Sequence, residues 1–131
     1  HRTFLQPDGA GKAEMPDGSS PKKMLGPTRG AVVRLVDDGD VTGGIGLAEG
    51  IENALTVMCA GWSPIWAATS AANMAAFPVL GGIEALTLFA DLGEAGERAA
   101  DTCAQRWAAA GREAEARYPI HGDWNAIRRA A

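Results

Sequence analysis

Two acidic residues follow short apolar runs in this sequence. Asp91 ends the stretch LTLFAD, residues 86–91, and Glu49 ends the stretch GLAE, residues 46–49. A short apolar run bounded by glycine is typical of a strand buried on both faces of a sheet, and open α/β sheets bind ligands where such strands end. Because parallel strands end at the same edge, we expect these two carboxyl groups to lie close together.

Glycines follow both acids, and the combination favours phosphate chemistry. Gly50 and Gly93 allow a sharp turn into a helix, whose first N–H groups attract an anion. Clustered carboxylates suit Mg²⁺, which usually bridges protein acids to substrate phosphates. These features favour phosphoryl or nucleotidyl transfer. An acid at a strand end before a glycine is also typical of a turn or a helix N-cap, and for each acid alone that alternative stays open.

The elements that must position these acids alternate along the chain after Thr42. Apolar runs predict strands at 43–48, 63–69, 83–90 and 112–119. Helical spacing predicts three helices between them: one ended by Gly61, one capped by Ser70, and one over 94–110. We expect the first helix to bury one face, made of Ile51, Ala54, Leu55 and Met58. This order predicts an α/β fold with a parallel sheet and helices on both faces.

Residues 1–40 differ in pattern from residues 41–131, which we interpret as the main domain. The first part resembles a β-arm, with short strands predicted at 2–6 and 31–36 and a loose connection at about 7–23. It carries a cationic cluster, which is either a solvated arm or the phosphate-tracking side of a nucleic-acid channel. The cluster consists of Lys22, Lys23, Arg29 and Arg34.

Composition narrows the class of protein further. The chain has 131 residues, 47% of them hydrophobic, and a net charge of -4, which suits one folded domain without an overall basic surface. Cys59 and Cys103 are each expected on the apolar face of a helix, as buried thiols. There is neither a membrane-length apolar run nor a signal peptide pattern, which predicts a soluble, cytoplasmic protein. The first residue is His1, and we expect the chain to be part of a longer polypeptide.

Two longer stretches resemble a known family. GLAEGIENALTV and LTLFADLGEAGERAADTCAQRWAAAGREAEA are similar to the Toprim domain of primases, topoisomerases and some nucleases. The flanking segments HRTFLQPDGAGKA, PKKMLGPTRGAVVRL and HGDWNAI resemble those around the Toprim domain of plasmid- and phage-type primase proteins. The resemblance implies a Rossmann-like Toprim fold and nucleotidyl transfer that depends on Mg²⁺ or Mn²⁺. It also implies single-stranded DNA, nucleoside triphosphates and other domains of a primase-helicase chain as partners.

The resemblance assigns roles to the two acids. Glu49 matches the glutamate that acts as general acid or base or helps to hold metal, and Asp91 matches the first acid of the Asp-x-Asp metal motif. The second acid of that motif is replaced by Gly93, and we expect an aspartate there to restore a second carboxylate. Glu94 is either a surrogate metal ligand or a capping residue at the start of its helix.

Three further residues match positions near the family's site. Glu52 lies on the first helical turn after Glu49, and Asp123 and Asn125 lie in the closing GDWN motif, where Trp124 is expected to pack in the core. With Lys22, Lys23 and Arg29 they are the candidate substrate- or nucleic-acid-binding residues. Two alternatives to a primase remain: a Toprim nuclease, and a degenerate, non-catalytic Toprim module that binds nucleic acid or a partner domain.

Overall fold

Residues 1–129 are described by a computed structural model, in which strands and helices alternate from residue 44 onward. The strands are β1 (Arg2–Thr3), β2 (Lys22–Lys23), β3 (Val33–Arg34), β4 (Gly44–Ala48), β5 (Ile65–Ala67), β6 (Ala85–Phe89) and β7 (Glu113–Arg117). The α-helices are α1 (Ile51–Cys59), α2 (Ala71–Ala76), α3 (Glu94–Ala109) and α4 (Trp124–Arg129), and a single 3-10 turn spans Asp38–Asp40.

The central sheet has five strands in the order β3-β5-β4-β6-β7. Strands β4, β5, β6 and β7 are parallel, and β3 adds an antiparallel edge next to β5. The structure confirms the predicted α/β fold with a mainly parallel sheet. The strand expected over 31–36 contains only two residues, and it joins the central sheet instead of remaining in the N-terminal arm.

Alternation along β4 divides the core between the two faces of the sheet. Ile45 and Leu47 belong to a cluster that also contains the buried apolar side chains of α2 and α3. Ala48 belongs to the opposite cluster, which contains the buried apolar side chains of α1 and packs against the half-buried Trp124 on α4. Successive residues of a strand point to opposite faces, and this explains the division. Both faces of the sheet are therefore covered by helices, as expected.

Helix α1 buries the expected face only in part, because Ala54 is buried and Ile51 and Met58 are half-buried against the same cluster, but Leu55 is not. Its buried residues are Asn53, Ala54, Thr56 and Val57, whereas Leu55 is 44% exposed. Cys59 is exposed as well, so only one of the two thiols is buried as predicted. Cys59 lies two positions after Val57 and is therefore about 200° around the helix from that buried residue. The polar residues Asn53 and Thr56 occupy the buried side because they bond to partners on neighbouring elements.

The segment expected to be loose at 7–23 forms part of a small β-arm. Strands β1 and β2 pair antiparallel, and Leu5 forms a bridge with Lys12 across the intervening turn. The N–H of Gln6 donates to the carbonyl of Gly11 at 2.9 Å and closes that turn. The predicted N-terminal β-arm is thus present, and its turn reaches the carboxyl edge of the central sheet. No helix within residues 1–129 has the length and apolar character needed to cross a membrane.

Candidate functional site at the carboxyl edge of the sheet

Glu49 and Asp91 meet at the ends of two adjacent strands. Strands β4 and β6 pair in a register that places Ala48 opposite Phe89, so both acids follow at the same edge. The backbone N–H of Asp91 lies 3.4 Å from Oε2 of Glu49 and donates to it. Both side chains line a cleft of about 280 Å³. The tertiary structure therefore brings together the two acids on which the sequence argument depends.

Helix α3 begins in close contact with this pair. A Cβ atom on Gly96 would lie 2.4 Å from the carbonyl oxygen of Asp91 and 3.1 Å from Oε2 of Glu49. Contacts of about 3.0 Å or less are too short for a real side chain, so only glycine fits at this place in the helix. Gly96 thus lets the first turn of α3 pack directly against the acids.

The cleft raises the pKa of both carboxyl groups. Burial is the main cause for Glu49, and repulsion from Asp91 adds to it. Burial also raises the pKa of Asp91, with a contribution from nearby Asp123, while a hydrogen bond from Asn53 opposes the shift. The ionised form of both acids is therefore less stable than it would be in water, and a bound cation would offset this cost.

A network of three buried or half-buried polar residues supports Asp91, and only one of the three, Asn125, was a candidate residue from the sequence. Nδ2 of Asn53 donates to Oδ1 of Asp91 at 2.7 Å, and Nδ2 of Asn125 donates to Oδ1 of Asn53 at 3.1 Å. Oγ1 of Thr56 donates to Oδ1 of Asn125 at 2.6 Å. The one sequence signal was the presence of polar residues at 53 and 56 within a helix that has to bury a face.

The N-terminal arm provides the opposite, basic wall of the cleft. Lys12 and Lys22 line it, and Nζ of Lys22 lies 3.8 Å from Oε2 of Glu52. Lys22 lowers the pKa of both catalytic candidates, Glu49 and Asp91, although less than burial raises it. Lys22 and Glu52 were predicted from the sequence as binding residues, whereas Lys12 was not. Acids and bases thus face each other across one cleft.

The end of β5 adds a residue that the sequence did not suggest. Thr69 lines the cleft with a φ of 72°, a left-handed conformation that β-branched residues rarely adopt. Its Oγ1 accepts a hydrogen bond from Nδ2 of Asn73 at 3.2 Å. Next to it, Ser70 accepts from the N–H of Asn73, which confirms the predicted helix cap.

Several candidate residues are not brought to the cleft. Glu94 is 83% exposed and pairs with Arg98 on the outer side of α3, which is the geometry of a surface ion pair and not of a metal ligand. Nζ of Lys23 donates to the hydroxyl of Ser19, and Arg29 lies exposed on the loop before β3. Arg34 pairs with Asp38 at 2.8 Å. Of the four basic residues of the predicted cationic cluster, only Lys22 lines the cleft.

Gly93 departs from the family motif for a reason in the backbone. Its φ of 118° and ψ of 161° lie in a region that is essentially restricted to glycine, although no atom lies near the position of a Cβ. An aspartate at 93 would strain this turn, so the expectation that it simply restores a ligand needs correction. The remaining members of the closing motif stay near the site: Asp123 lines the cleft and accepts from the N–H of Ala126 at 2.9 Å, and Trp124 packs against Phe89.

The donor set fits Mg²⁺ or Mn²⁺, the ions implied by the family. Within residues 1–129 no group of three or more histidine, cysteine or acidic side chains is arranged to hold a metal. The cleft instead offers carboxylate oxygens from Glu49 and Asp91, with Asp123 nearby. Mg²⁺ is commonly bound through one or two carboxylates together with water and substrate phosphates, so a small set of oxygen ligands is sufficient.

Together, the parallel sheet and the paired acids at its carboxyl edge define an α/β protein with a cleft lined by acidic and basic side chains at the strand ends. Residues 44–131 match the family model of the Toprim domain, and the chain belongs to the Toprim family. It is also similar to a crystal structure of a DNA primase domain from Pseudomonas aeruginosa, with 19% identity and a TM-score of 0.50. That alignment covers 71% of this chain and 30% of the other, and the likeness concerns the fold alone. No curated protein sequence matched the chain.

Proposed function

We propose that this chain is the Toprim module of a DNA primase-like replication protein and takes part in metal-dependent nucleotidyl transfer on nucleic acid. The observation that carries the proposal is the convergence of Glu49 and Asp91 at the carboxyl edge of the sheet, inside the segment that matches the Toprim family. The similar primase domain supports the choice of a primase among Toprim proteins. The chain spans 30% of that domain, so other domains of the parent chain are part of the proposal.

Glu49 and Asp91 have different roles in the proposed reaction. Burial and the charge of Asp91 raise the pKa of Glu49, and a carboxyl group with a raised pKa exchanges a proton more readily near neutral pH. Glu49 is therefore the proposed general acid or base for the attacking hydroxyl group. Asp91, with one oxygen held by Asn53, is the proposed ligand for Mg²⁺ or Mn²⁺. When bound, such an ion neutralises charge that develops on the transferred phosphate.

The remaining candidates are proposed to bind substrate. Lys22 faces the acids across the cleft and is placed to contact the phosphates of a nucleoside triphosphate. Lys23 and Arg29 lie outside the cleft on the exposed side of the arm, and they are proposed contacts for the backbone of single-stranded DNA. Glu52 holds Lys22, and Asp123 lines the same cleft as a further acid.

Template-directed primer synthesis tests this proposal. The full-length polypeptide is incubated with single-stranded DNA, nucleoside triphosphates and Mg²⁺, as wild type and as the variants Glu49→Gln and Asp91→Asn. We expect both substitutions to abolish the products, because each removes a carboxylate from the cleft. Glu113→Gln is the matched control, since this exposed acid lies on β7 away from the cleft. Primer synthesis that continues in both variants would refute the proposal.

A non-catalytic Toprim module is the second candidate. The observations that favour it are Gly93 in place of the second acid and the position of Glu94 outside the cleft. In the same assay this module would bind single-stranded DNA without synthesising primers. Cleavage of the template in place of synthesis would identify the third alternative, a Toprim nuclease.

A further inference from the structure

The hydrogen bonds around Asp91 form a network in which the donor and the acceptor of each bond are fixed. An ionised carboxylate only accepts, so Asn53 must present its NH₂ group to Asp91 and its oxygen to the next residue. Asn125 then has to donate to Asn53 and accept from the Thr56 hydroxyl. Each residue in the network therefore donates to the next one toward Asp91. Exchanging Oδ1 and Nδ2 in Asn53 or in Asn125 would bring two acceptors or two donors together.

Both amide groups line the cleft, and each has partners on two sides within the network. Oδ1 and Nδ2 of Asn53 both form hydrogen bonds within this network, and so do Oδ1 and Nδ2 of Asn125. Asn53 and Thr56 are only 4% and 6% exposed, and buried polar groups of this kind stabilise a structure when they are fully paired. Asn125, which the sequence suggested as a binding residue, thus also donates a hydrogen bond to Asn53 within this network.

The network engages one of the two carboxylate oxygens of Asp91. Among the side chains that the structure describes, those of residues 1–126, Oδ1 accepts from Asn53 and Oδ2 has no hydrogen-bond partner. Asp91 itself is half-buried and lines the cleft. Fixing one oxygen of a carboxylate restricts its rotation and leaves the second oxygen in a defined position. This is how residues behind a metal ligand commonly orient it.

We infer that Asn53 is a positioning residue for Asp91, and that Asn125 on helix α4, held by Thr56, keeps Asn53 in place. The site is then built across three elements, because α1 supplies Asn53 and Thr56, α4 supplies Asn125 and β6 leads to the acid. Helix α4 is tied to this core independently by Nε1 of Trp124, which donates to the carbonyl of Ala90 at 3.0 Å. The part of the inference that concerns a divalent ion rests on the proposed function, whereas the mechanical coupling does not.

Mn²⁺ binding to the folded chain, followed by calorimetry, tests the positioning role. Asn53→Leu removes the hydrogen bond at similar volume, and we expect a loss of affinity of about 10- to 100-fold, as is usual for partners of metal ligands. Leu55→Ala is the matched control on the exposed side of the same helix and should bind Mn²⁺ like the wild type. If the role of Asn53 were only structural, Asn53→Leu would melt at a lower temperature and its folded form would retain the wild-type affinity, which would overturn the inference.

A second pair of variants examines the far end of the network. Thr56→Val removes the hydroxyl group at nearly constant volume, and Thr56→Ser retains it. We expect Thr56→Val to weaken Mn²⁺ binding less than Asn53→Leu does, and Thr56→Ser to preserve it. Thr56 is three hydrogen bonds away from Asp91 along the network, so these variants test the inference if Asn53→Leu fails to fold. Equal Mn²⁺ affinities for the valine and serine variants would contradict the inference that the Thr56 hydroxyl supports Asp91 through Asn125 and Asn53.

A double-mutant cycle tests the coupling without any metal. Asp91 and Asn125 share no hydrogen bond, so their substitutions should be additive unless Asn53 connects them. We expect Asp91→Ala and Asn125→Ala to be non-additive in the free energy of unfolding, and to become additive when Asn53 is replaced by Leu. Additive effects in the wild-type background would refute the inference. If the wild-type chain binds no Mn²⁺ while the cycle shows coupling, the metal dependence of the proposed function is refuted. The coupling of Asn125 to Asp91 through Asn53 is supported in that case.

Discussion

Replacing Gly96 by alanine tests how the site is assembled, because two physical effects oppose each other at this position. Gly96 is buried within helix α3, where alanine is ordinarily preferred over glycine by about 1 kcal/mol. The new methyl group would, however, lie 2.4 Å from the carbonyl oxygen of Asp91 and 3.1 Å from Oε2 of Glu49. The first of these atoms belongs to the backbone and cannot rotate away.

The overlap should outweigh the gain in helix propensity. Forcing one extra carbon atom into a packed site typically costs about 1–3 kcal/mol, and the contact with Asp91 is short enough to place this variant at the upper end. After the gain of about 1 kcal/mol is subtracted, we expect Gly96→Ala to lower the free energy of unfolding by about 1–2 kcal/mol. The strain should also move α3 away from the strand ends and so weaken Mn²⁺ binding.

Urea unfolding, with the midpoint and slope measured for both proteins, provides the assay. Gly81→Ala is the matched control, since no atom lies within 4 Å of the added carbon and its φ is not in the left-handed region. That control should be neutral or stabilised by up to about 1 kcal/mol. If Gly96→Ala were as stable as the wild type or more stable, helix α3 would not pack against the acids in the way described.

Three further predictions concern the same region and the thiols. Gly93→Asp should melt at a lower temperature than the wild type, because its backbone conformation costs a non-glycine residue about 1–3 kcal/mol; an unchanged melting temperature would show that the turn does not require glycine. In EDTA, the melting temperature of the wild type should fall relative to that of Glu49→Gln as the pH rises above about 4.5. The reason is that the pKa of Glu49 is higher in the folded state than in the unfolded state, so ionisation of Glu49 destabilises the folded state. The same dependence of melting temperature on pH in both proteins would contradict this. A thiol reagent should modify the exposed Cys59 rapidly and leave Cys103 unmodified until the chain unfolds, because Cys103 is buried and its pKa is raised to about 11; mass spectrometry of the labelled peptides distinguishes the two.

The sequence predicted the parallel sheet because its evidence was local. Apolar runs such as ALTLF, bounded by glycine and charged residues, predict buried strands wherever they occur. The helices between them predict parallel crossovers, and from that topology it follows that Glu49 and Asp91 share an edge. The fold could therefore be predicted without knowledge of individual side-chain contacts. The Ser70 cap was predictable for the same reason, since its partner lies three residues away.

The buried face of helix α1 was predicted only in part, because apolar residues alone were used to choose it. Ala54 is buried as expected, and Ile51 and Met58 pack against the same cluster. Leu55 was expected inside and is exposed, whereas Asn53 and Thr56 are buried. A buried amide or hydroxyl group is stable only when it is paired, and the partners of these two residues lie 38 and 69 positions further along the chain. No local pattern contains that information.

What the sequence determined by itself was the order of the elements and the edge of the sheet at which the two acids lie, because both follow from short-range periodicity and the geometry of parallel strands. What only the tertiary structure decided was which side chains complete the cleft. Lys12 and Lys22 reach it because the N-terminal arm folds over the sheet edge, and Glu94 leaves it because α3 directs that side chain to solvent. Long-range contacts of this kind depend on how whole elements pack, and packing is decided by the sum of many contacts that no single segment encodes.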